Sequence, residues 1–239
     1  KTQPNASLQV PELSFLFAHP KIVEIMSRLL GSDNVVFTGH CDIHMNMLSG
    51  WHKDSGETVP GGYFKGDYMD AEDCRVYKVA IYLQDTGERD SFSARLGSHR
   101  KADLTSGELV KAYSRRGDLV IFDVRLSHTG QLPDLVEKTL KAASLGLNCG
   151  SRDKEDNRAV SALKQAYWKL MGRRNRLSTF FTYGADNRFT EDFASANMNR
   201  QNRQGANAEG LFSGDLIAGL ADRDVKVAEV VRTSAKTTS

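Results

Sequence analysis

A chain of 239 residues with 40% hydrophobic and 26% charged residues has the composition of an ordinary globular protein, and we expect residues 1–239 to form a single domain. The formal net charge is only +2 and the basic residues are scattered among acidic ones, which argues against a nucleic-acid partner. No run approaches the roughly eighteen apolar residues of a membrane span and no signal-peptide pattern is present, so we expect no membrane partner.

The three cysteines, Cys41, Cys74 and Cys149, are widely spaced and form no CxxC pair. This number and spacing favour a reducing compartment and argue against a disulfide scaffold or a structural zinc site. We therefore expect a cytoplasmic protein. Because the chain begins at Lys1 without a methionine, we also expect that a natural N-terminal segment, with any targeting signal, can precede it.

The first half of the chain predicts one helix and three strands. Residues Pro20 to Leu30 begin with proline and carry apolar side chains at mixed three- and four-residue spacing, which is typical of a helix, and Gly31 ends it. Val35 to Leu48 alternates apolar and polar residues and therefore predicts a strand. Arg75 to Gln84 and Ser91 to Leu96 predict two more, and several such short strands favour a jelly roll or barrel.

The polar face of the strand predicted for Val35 to Leu48 has two interpretations. In an antiparallel sheet with one solvated face its side chains face water, and we expect this for His40 and Asp42. In a barrel that holds a ligand, a polar row near the mouth lines the cavity instead. His44 and Asn46 fit either interpretation, because they stand near the end of the strand.

The segments between and after these strands are predicted as a loop, a helix and a further strand. Residues 55–74 are rich in glycine, aspartate and tyrosine without periodicity, which indicates a loop long enough to cover a site as a lid. We expect a short helix around Ser106 to Tyr113. Gly117 then opens a hydrophobic strand that leads to His128.

The second half of the chain combines helices with one more strand. We expect residues 131–172 to be an insertion that ends in an amphipathic helix, with Trp168 packing beside its apolar stripe. The stripe comprises Ala162, Leu163, Ala166, Tyr167, Leu170 and Met171. Arg176 to Tyr183 alternates as a strand, and residues 187–239 form a polar C-terminal extension that is helical near Leu216 to Val231.

An imidazole and a carboxylate stand two residues apart in Trp51-His52-Lys53-Asp54-Ser55-Gly56. Side chains at i and i+2 of an extended backbone leave the same face, so His52 and Asp54 can bind one ion while Lys53 points away. A stable site needs a third ligand, and His128 is the candidate. Alone, a His-x-Asp pair is more often a surface turn, but flanking glycines favour the metal site. Two histidines and one carboxylate leave metal positions open, as in non-haem Fe(II) oxygenases.

Four motifs follow one another along the chain: His52-x-Asp54, Tyr77 to Gln84, Gly97-Ser98-His99-Arg100, and Gly117-Asp118 leading into His128. In this order, over about residues 12–184, they resemble the phytanoyl-CoA dioxygenase-like branch of the Fe(II)/2-oxoglutarate-dependent oxygenases. The resemblance implies a mainly β fold, a double-stranded β-helix (jelly roll, cupin-like) with flanking helices. It also implies Fe(II) held by His52, Asp54 and His128, and 2-oxoglutarate as a cosubstrate that chelates the metal.

The resemblance further implies a cation for the far carboxylate of 2-oxoglutarate, usually an arginine shortly after the second histidine. At the corresponding distance after His128 this sequence has Lys138 and Lys141 but no arginine. Arg176 and Ser178 are the alternative, because they share one strand face and can bind a carboxylate through the guanidinium and the hydroxyl. We favour this pair, whose distance along the chain the 131–172 insertion explains.

Four further residues take roles from the same resemblance. Thr129, next to His128, can touch the cosubstrate. Lys78 and Tyr82 can line the cavity or stand at the rim of the barrel as amphipathic residues. His99 is expected to be structural, because a fourth ligand would fill a metal position that the chemistry needs open.

The implied activity is oxidation of a small polar metabolite or natural-product intermediate, by hydroxylation or oxidative cyclisation, with release of succinate and CO2. Its partners are that small-molecule substrate and dioxygen. Related halogenases replace the carboxylate ligand to admit chloride, so the presence of Asp54 argues against halogenation. Two alternatives stay open: a non-catalytic cupin-like binding module, and a cupin metalloenzyme that does not use 2-oxoglutarate. No sequence feature selects an oligomeric state.

Overall fold

Two sheets with flanking helices make up the chain in a computed structural model that describes residues 2–31, 34–47, 49–56, 62–147, 158–173, 175–204 and 212–233. The described strands are β1 (Thr2–Gln3), β2 (Val36–Met45), β3 (Val76–Tyr82), β4 (Phe92–Leu96), β5 (Glu108–Ala112), β6 (Leu119–Asp123), β7 (His128–Thr129), β8 (Leu177–Gly184) and β9 (Lys226–Val227). The described α-helices are α1 (Ala6–Gln9), α2 (Ser14–Phe17), α3 (Pro20–Leu30), α4 (Leu135–Leu147), α5 (Arg158–Leu170), α6 (Arg188–Gln204), α7 (Gly214–Ala221) and α8 (Glu229–Thr233).

The larger sheet has six strands, in the order β1-β2-β8-β3-β6 with β9 beside β2. Only the β2 and β9 pair is parallel among these described strands, and every other pair is antiparallel. The smaller sheet has the order β5-β4-β7 and is antiparallel throughout. The predicted combination of antiparallel sheets and flanking helices is therefore confirmed.

Alternation along β3 and β8 separates two hydrophobic cores, because successive side chains leave opposite faces of a sheet. On one face, Val79 and Phe181 pack with α1, α2, α3, α7 and α8 in the main core. On the other face, Ala80 and Phe180 pack towards Phe92 of β4 in the smaller sheet. The space between the two sheets is consequently a second, smaller interior, and it holds the candidate site.

The helix predicted for Pro20 to Leu30 is confirmed as α3 with the same bounds. Proline occupies its first turn, where the missing N–H costs nothing, and Gly31 follows the helix with φ 91°. The strands predicted near β2, β3, β4 and β8 are likewise confirmed, with ends that differ by a few residues.

The helix predicted around Ser106 to Tyr113 is wrong, because this segment forms β5. Its backbone pairs with β4 over five residues, so the pairing overrides the local sequence preference. The strand that opens after Gly117 also ends earlier than predicted, at Asp123. A turn follows, and His128 lies in β7 of the smaller sheet rather than at the end of β6.

The apolar stripe predicted for α5 is largely exposed. Leu163 is 59% exposed and Leu170 is 83% exposed, whereas Val160 and Trp168 are buried. The reason is a polar anchor, because the buried carboxylate of Glu137 in α4 accepts a hydrogen bond from Trp168 Nε1 at 2.6 Å and fixes which face of α5 turns inward. Trp168 therefore packs, as predicted.

The C-terminal extension contains a helix that the sequence analysis missed. α6 covers residues predicted only as a polar segment, and its buried face is Phe189, Phe193, Ala194 and Met198. Further along, the single helical stretch predicted for Leu216 to Val231 is wrong in detail. It is divided into α7 and α8 by β9, which pairs with β2.

Three remaining expectations meet the structure only in part. Residues 62–74 form neither helix nor strand, in agreement with the predicted loop, whereas 57–61 lie outside the described residues. Cys41 and Cys74 are buried free thiols, and Cys149 also lies outside the described residues. Within the described part of the chain, no helix combines the length and the apolar character needed to cross a bilayer.

Substitution of Gly39 tests the packing of the last helix against β2. Gly39 has φ 76°, at a register shift of β2, and an added Cβ would lie 2.6 Å from Cγ2 of Val231 in α8. We expect Gly39→Ala to lower the free energy of unfolding by about 2–4 kcal/mol, from backbone strain plus overpacking. Gly66 has φ 73° with nothing within 4 Å of an added Cβ, so Gly66→Ala is a control for strain alone. Equal losses in urea denaturation of the two variants would contradict the packing argument.

Candidate functional site

The segment His52 to Asp54 runs beside the turn that leads into β7. His52 and His128 form an antiparallel bridge in which each backbone N–H donates to the other's carbonyl, at 3.0 and 2.9 Å. The backbone N–H of Asp54 donates to Val124 at 2.8 Å. One ligand atom each from His52, Asp54 and His128 lies within 4.8 Å of the others, so the structure brings the three predicted ligands together.

The hydrogen bonds of the two imidazoles determine which nitrogen faces the centre. His52 Nδ1 lies 2.8 Å from the carbonyl of Gly50, and His128 Nδ1 lies 2.9 Å from the carbonyl of Leu126. A carbonyl only accepts, so each Nδ1 is protonated and donates. The Nε2 atoms then face Asp54. Nε2 of His52 lies 3.8 Å from the carboxylate of Asp54, and Nε2 of His128 lies 3.2 Å from it. Carbonyl-held imidazoles of this kind are typical of metal ligands.

The charges at the centre are those that a metal site requires. Burial raises the pKa of Asp54, but Lys78, His128 and His52 together hold it well below its usual range, so the carboxylate is ionised at neutral pH. Burial and the neighbouring His128 lower the pKa of His52, against the opposing effect of Asp54. An ionised carboxylate beside a neutral imidazole is ready to bind a cation without losing a proton. Two imidazole nitrogens and one carboxylate fit Fe(II) with open positions.

Lys78 is the closest cation to this centre. Its Nζ lies 2.7 Å from Oδ2 of Asp54, and only 9% of the residue is exposed. The sequence analysis placed Lys78 in the cavity or at its rim, and the structure places it inside. Its contact with a predicted metal ligand was not foreseen, because no local pattern reports which strand will lie opposite Asp54.

Aromatic rings surround the second histidine. The ring of Phe122 lies 4.6 Å from that of His128, and the ring of Phe92 stacks on His128 at 5.5 Å. Both phenylalanines are buried between the sheets. The two rings, one from each sheet, therefore contribute to the burial of His128, which is only 5% exposed.

Lys53 points away from the centre, as the alternation predicts. It is buried, and its Nζ donates to the carbonyls of Ser98 at 2.7 Å and Arg125 at 2.6 Å. The hydroxyl of Ser98 accepts from the backbone of Ser127 at 2.8 Å. The turn at Ser98 therefore supports the strand segment that carries two ligands. His99 of the same turn is outside the metal-ligand group, as expected for a structural residue.

A second group of polar atoms lies in the space between the sheets. Arg176 is buried, its guanidinium lies 4.9 Å above the ring of Tyr82, and Ser178 pairs with Tyr82 across the sheet. Arg176 Nε and Ser178 Oγ are buried and have no hydrogen-bond partner in the described residues. Burial, outweighing the effect of the neighbouring Arg176, raises the pKa of Tyr82, which keeps its phenol protonated. Unpaired buried donors are costly, and a carboxylate would satisfy them.

The backbone connects this group of polar atoms to the candidate metal ligands. Gly130, two residues after His128, lies against the guanidinium, because an added Cβ would be 2.9 Å from Nη2 of Arg176. By contrast, Lys138 and Lys141 lie on exposed positions of α4. Thr129 is buried, and its hydroxyl donates to the carbonyl of Ser49 at 2.9 Å.

The expectation that His40 and Asp42 face water is wrong. Both are buried on the inner face of β2, and Asp42 pairs with Phe180 in the register with β8. Partners from α6 make this burial possible, because Arg200 Nη2 and Gln201 Nε2 donate to the two oxygens of Asp42 at 3.0 and 2.9 Å. His40 Nε2 lies 3.3 Å from Oδ2 of the same carboxylate.

His44 and Asn46 take different positions on the same face. Burial, outweighing the nearby Asp42, lowers the pKa of His44 to about 4, so its imidazole is neutral. Asn46 binds the strand beside it, because its Oδ1 accepts from the backbone of Arg176 at 2.7 Å. The sequence analysis missed Arg200 and Gln201. The helical spacing of Phe189, Phe193 and the residues after them was the signal that could have indicated the helix that carries both.

A scan against protein-family models and a search of curated proteins found no match. Solved structures that resemble the chain include the non-heme alpha-ketoglutarate-dependent epimerase SnoN from nogalamycin biosynthesis, at 16% identity and a TM-score of 0.46, over 76% of this chain and 60% of that one. EctD from S. alaskensis with bound Fe matches at 16% identity and a TM-score of 0.48, over 77% of this chain and 57% of that one. The chain thus spans less than two thirds of these proteins, and this similarity does not establish its activity.

Removal of a ligand tests the metal centre directly. We expect Asp54→Ala and His128→Ala to lose Co(II) binding, by about a hundredfold or more, because each leaves two protein ligands. Isothermal titration calorimetry of Co(II), supported by its visible absorption, measures this. His99→Ala is the matched control and should bind Co(II) as the wild type does. Retained binding in both ligand variants would place the metal elsewhere.

Proposed function

We propose that the protein is an Fe(II)- and 2-oxoglutarate-dependent dioxygenase of the phytanoyl-CoA dioxygenase-like group, built on a double-stranded β-helix. The observation that carries the proposal is the placement of two complementary sites in one interior. His52, Asp54 and His128 form the first site, and the second is the buried guanidinium of Arg176, which lies against Gly130 beside atoms that have no hydrogen-bond partner in the described residues. A dicarboxylate that chelates a metal through one end needs both sites.

Each side chain then has a role in binding. His52, Asp54 and His128 would hold Fe(II), and Arg176 with Ser178 would bind the far carboxylate of 2-oxoglutarate. Bound together, these two groups supply an oxidative decarboxylation that consumes dioxygen, releases succinate and CO2, and oxidises a C–H bond of the substrate. Thr129, next to His128, would contact the cosubstrate with its hydroxyl oxygen, while its hydroxyl proton is donated to the carbonyl of Ser49.

The remaining residues position the ligands and keep water away. The rings of Phe92 and Phe122 cover His128, and an oxidising site needs this protection from side reactions. Backbone carbonyls hold both imidazoles in the tautomer that presents Nε2. Because Asp54 supplies the carboxylate, we favour hydroxylation or oxidative cyclisation over halogenation.

The polar residues along β2 indicate the substrate class. Asp42, His44 and Arg200 lie on or against the inner face of β2, and Asp54 of the metal-ligand group interacts electrostatically with His44 and with Arg200. A polar wall of this kind favours a small polar metabolite or natural-product intermediate. We further propose one catalytic domain, with 131–172 inserted and 187–239 as an extension, in the cytoplasm, where the free thiols of Cys41 and Cys74 would persist.

Two other functions would use parts of the same site. A non-catalytic cupin-like binding module would bind a small molecule without forming succinate. A cupin metalloenzyme would use the metal but leave 2-oxoglutarate unbound. Arg176 Nε and Ser178 Oγ are buried without a hydrogen-bond partner in the described residues, and this argues against the second alternative, because a bound carboxylate would satisfy them.

Succinate formation tests the proposal. With Fe(II), dioxygen and a panel of small polar compounds, we expect release of succinate from 2-oxoglutarate that increases with the correct substrate. Arg176→Ala should weaken 2-oxoglutarate binding to the Fe(II)-loaded protein at least about tenfold, because a charged hydrogen-bonding group is lost. Lys138→Ala, at the competing position, should bind as the wild type does. Unchanged binding in Arg176→Ala would exclude this anchor, and absence of both binding and succinate would exclude the activity.

A methyl group at Gly130 tests the link between the two sites. In Gly130→Ala the new Cβ would meet Nη2 and Nη1 of Arg176 at 2.9 and 3.1 Å, so the end of this side chain must move. We expect about tenfold weaker 2-oxoglutarate binding with unchanged Co(II) binding, because only the anion site shifts. Gly146→Ala in α4 meets nothing within 4 Å and is the control. Equal affinity of the Gly130 and Gly146 variants for 2-oxoglutarate would contradict the arrangement.

A further inference from the structure

Lys78 is a buried cation whose partner is a predicted metal ligand. It lies on β3 at the register position opposite Phe122 of β6 and Thr182 of β8. Its ammonium lies 5.8 Å from the ring centroid of Phe180 and 2.7 Å from Oδ2 of Asp54. No second carboxylate lies within ion-pair distance of Lys78 in the described residues.

The groups around this ion pair leave Lys78 dependent on Asp54. Burial lowers the pKa of His40 and of His44, so both neighbouring imidazoles are neutral. Asp42 is the nearest other acid on this wall, and it is bound by Arg200 and Gln201. An ammonium held in a low-dielectric interior is costly unless a counter-charge accompanies it.

The same carboxylate is the only anionic member of the metal-ligand group. Lys78 and His128 both approach its Oδ2, at 2.7 and 3.2 Å, while Oδ1 faces His52 at 3.8 Å. A divalent cation at this centre therefore brings two further positive charges next to an ammonium on a side chain that is only 11% exposed. Repulsion at such short distances is strong in a protein interior.

We propose that Lys78 is the resident counter-ion of Asp54 and competes with the metal for this carboxylate. The proposal rests on the proposed function only in treating the centre as a metal site. In the metal-free protein the ammonium neutralises Asp54 and stabilises the fold. In the loaded protein Lys78 weakens metal binding, but it leaves the centre one charge more positive and so strengthens the binding of an anionic chelating ligand.

Charge removal at position 78 separates these two effects. Lys78→Gln and Lys78→Met remove the charge, Lys78→Arg keeps it, and Lys138→Met on the exposed face of α4 removes a distant charge as a control. The probe is Co(II) alone, followed by calorimetry, and then 2-oxoglutarate added without dioxygen to each Co(II)-loaded protein. We expect Lys78→Gln and Lys78→Met to bind Co(II) about tenfold more tightly and to bind 2-oxoglutarate several-fold more weakly.

The measured Co(II) affinities either support or overturn the competition between Lys78 and the metal. Co(II) affinity that is unchanged or lower in both neutral variants overturns the proposal, as does an equal gain in Lys78→Arg or Lys138→Met. If the neutral variants are unfolded without metal, the expected result is that Co(II) restores their folding, measured as a larger rise in Tm than in the wild type. Failure of Co(II) to restore either variant also overturns the proposal. Wild-type protein that binds Co(II) but never 2-oxoglutarate refutes the proposed function while leaving the competition at Asp54 measurable.

Discussion

The reciprocal backbone hydrogen bonds between His52 and His128 are the constraint on which the site depends. They join a segment that belongs to neither sheet to a two-residue strand of the smaller sheet. The backbone N–H of Asp54 continues this pairing by donating to the carbonyl of Val124. Lys53, between the two ligands, donates from its side chain to two carbonyls on the opposite side. Three successive residues are therefore held by hydrogen bonds to backbone carbonyls, and their side chains need little ordering when a ligand binds.

The polar groups between the two sheets are of two kinds, which their hydrogen-bond partners distinguish. The carboxylate of Asp42 is satisfied by Arg200 and Gln201, which makes it a connection between β2 and α6. Arg176 Nε and Ser178 Oγ are buried and find no hydrogen-bond partner in the part of the chain that the structure describes. Because an unmade buried hydrogen bond costs more than a made one contributes, the unpaired atoms are better evidence of a ligand than the paired ones.

The sequence predicted local features well and long-range pairing poorly. Proline and glycine define the ends of α3, and alternation identifies β3 and β8, because both signals depend only on neighbouring residues. The segment of β5 was mistaken for a helix, since its strand character comes from pairing with β4. The burial of Asp42 depends on α6, more than 140 residues away, and the inward face of α5 depends on Glu137. The His-x-Asp spacing led to the three side chains that the structure brings together, His52, Asp54 and His128, whereas nothing in it indicated Lys78.

The difference between the paired and the unpaired polar groups follows from how charge is distributed in the interior. Asp54 is balanced by Lys78, and Asp42 by Arg200, so each buried carboxylate already has a cation. Arg176 has no acidic partner in the described residues and is accommodated by the face of Tyr82. Among these residues the space between the sheets therefore holds one more cationic than anionic side chain. The one without a counter-charge is the guanidinium of Arg176, which is the group that the proposed function assigns to the far carboxylate of 2-oxoglutarate.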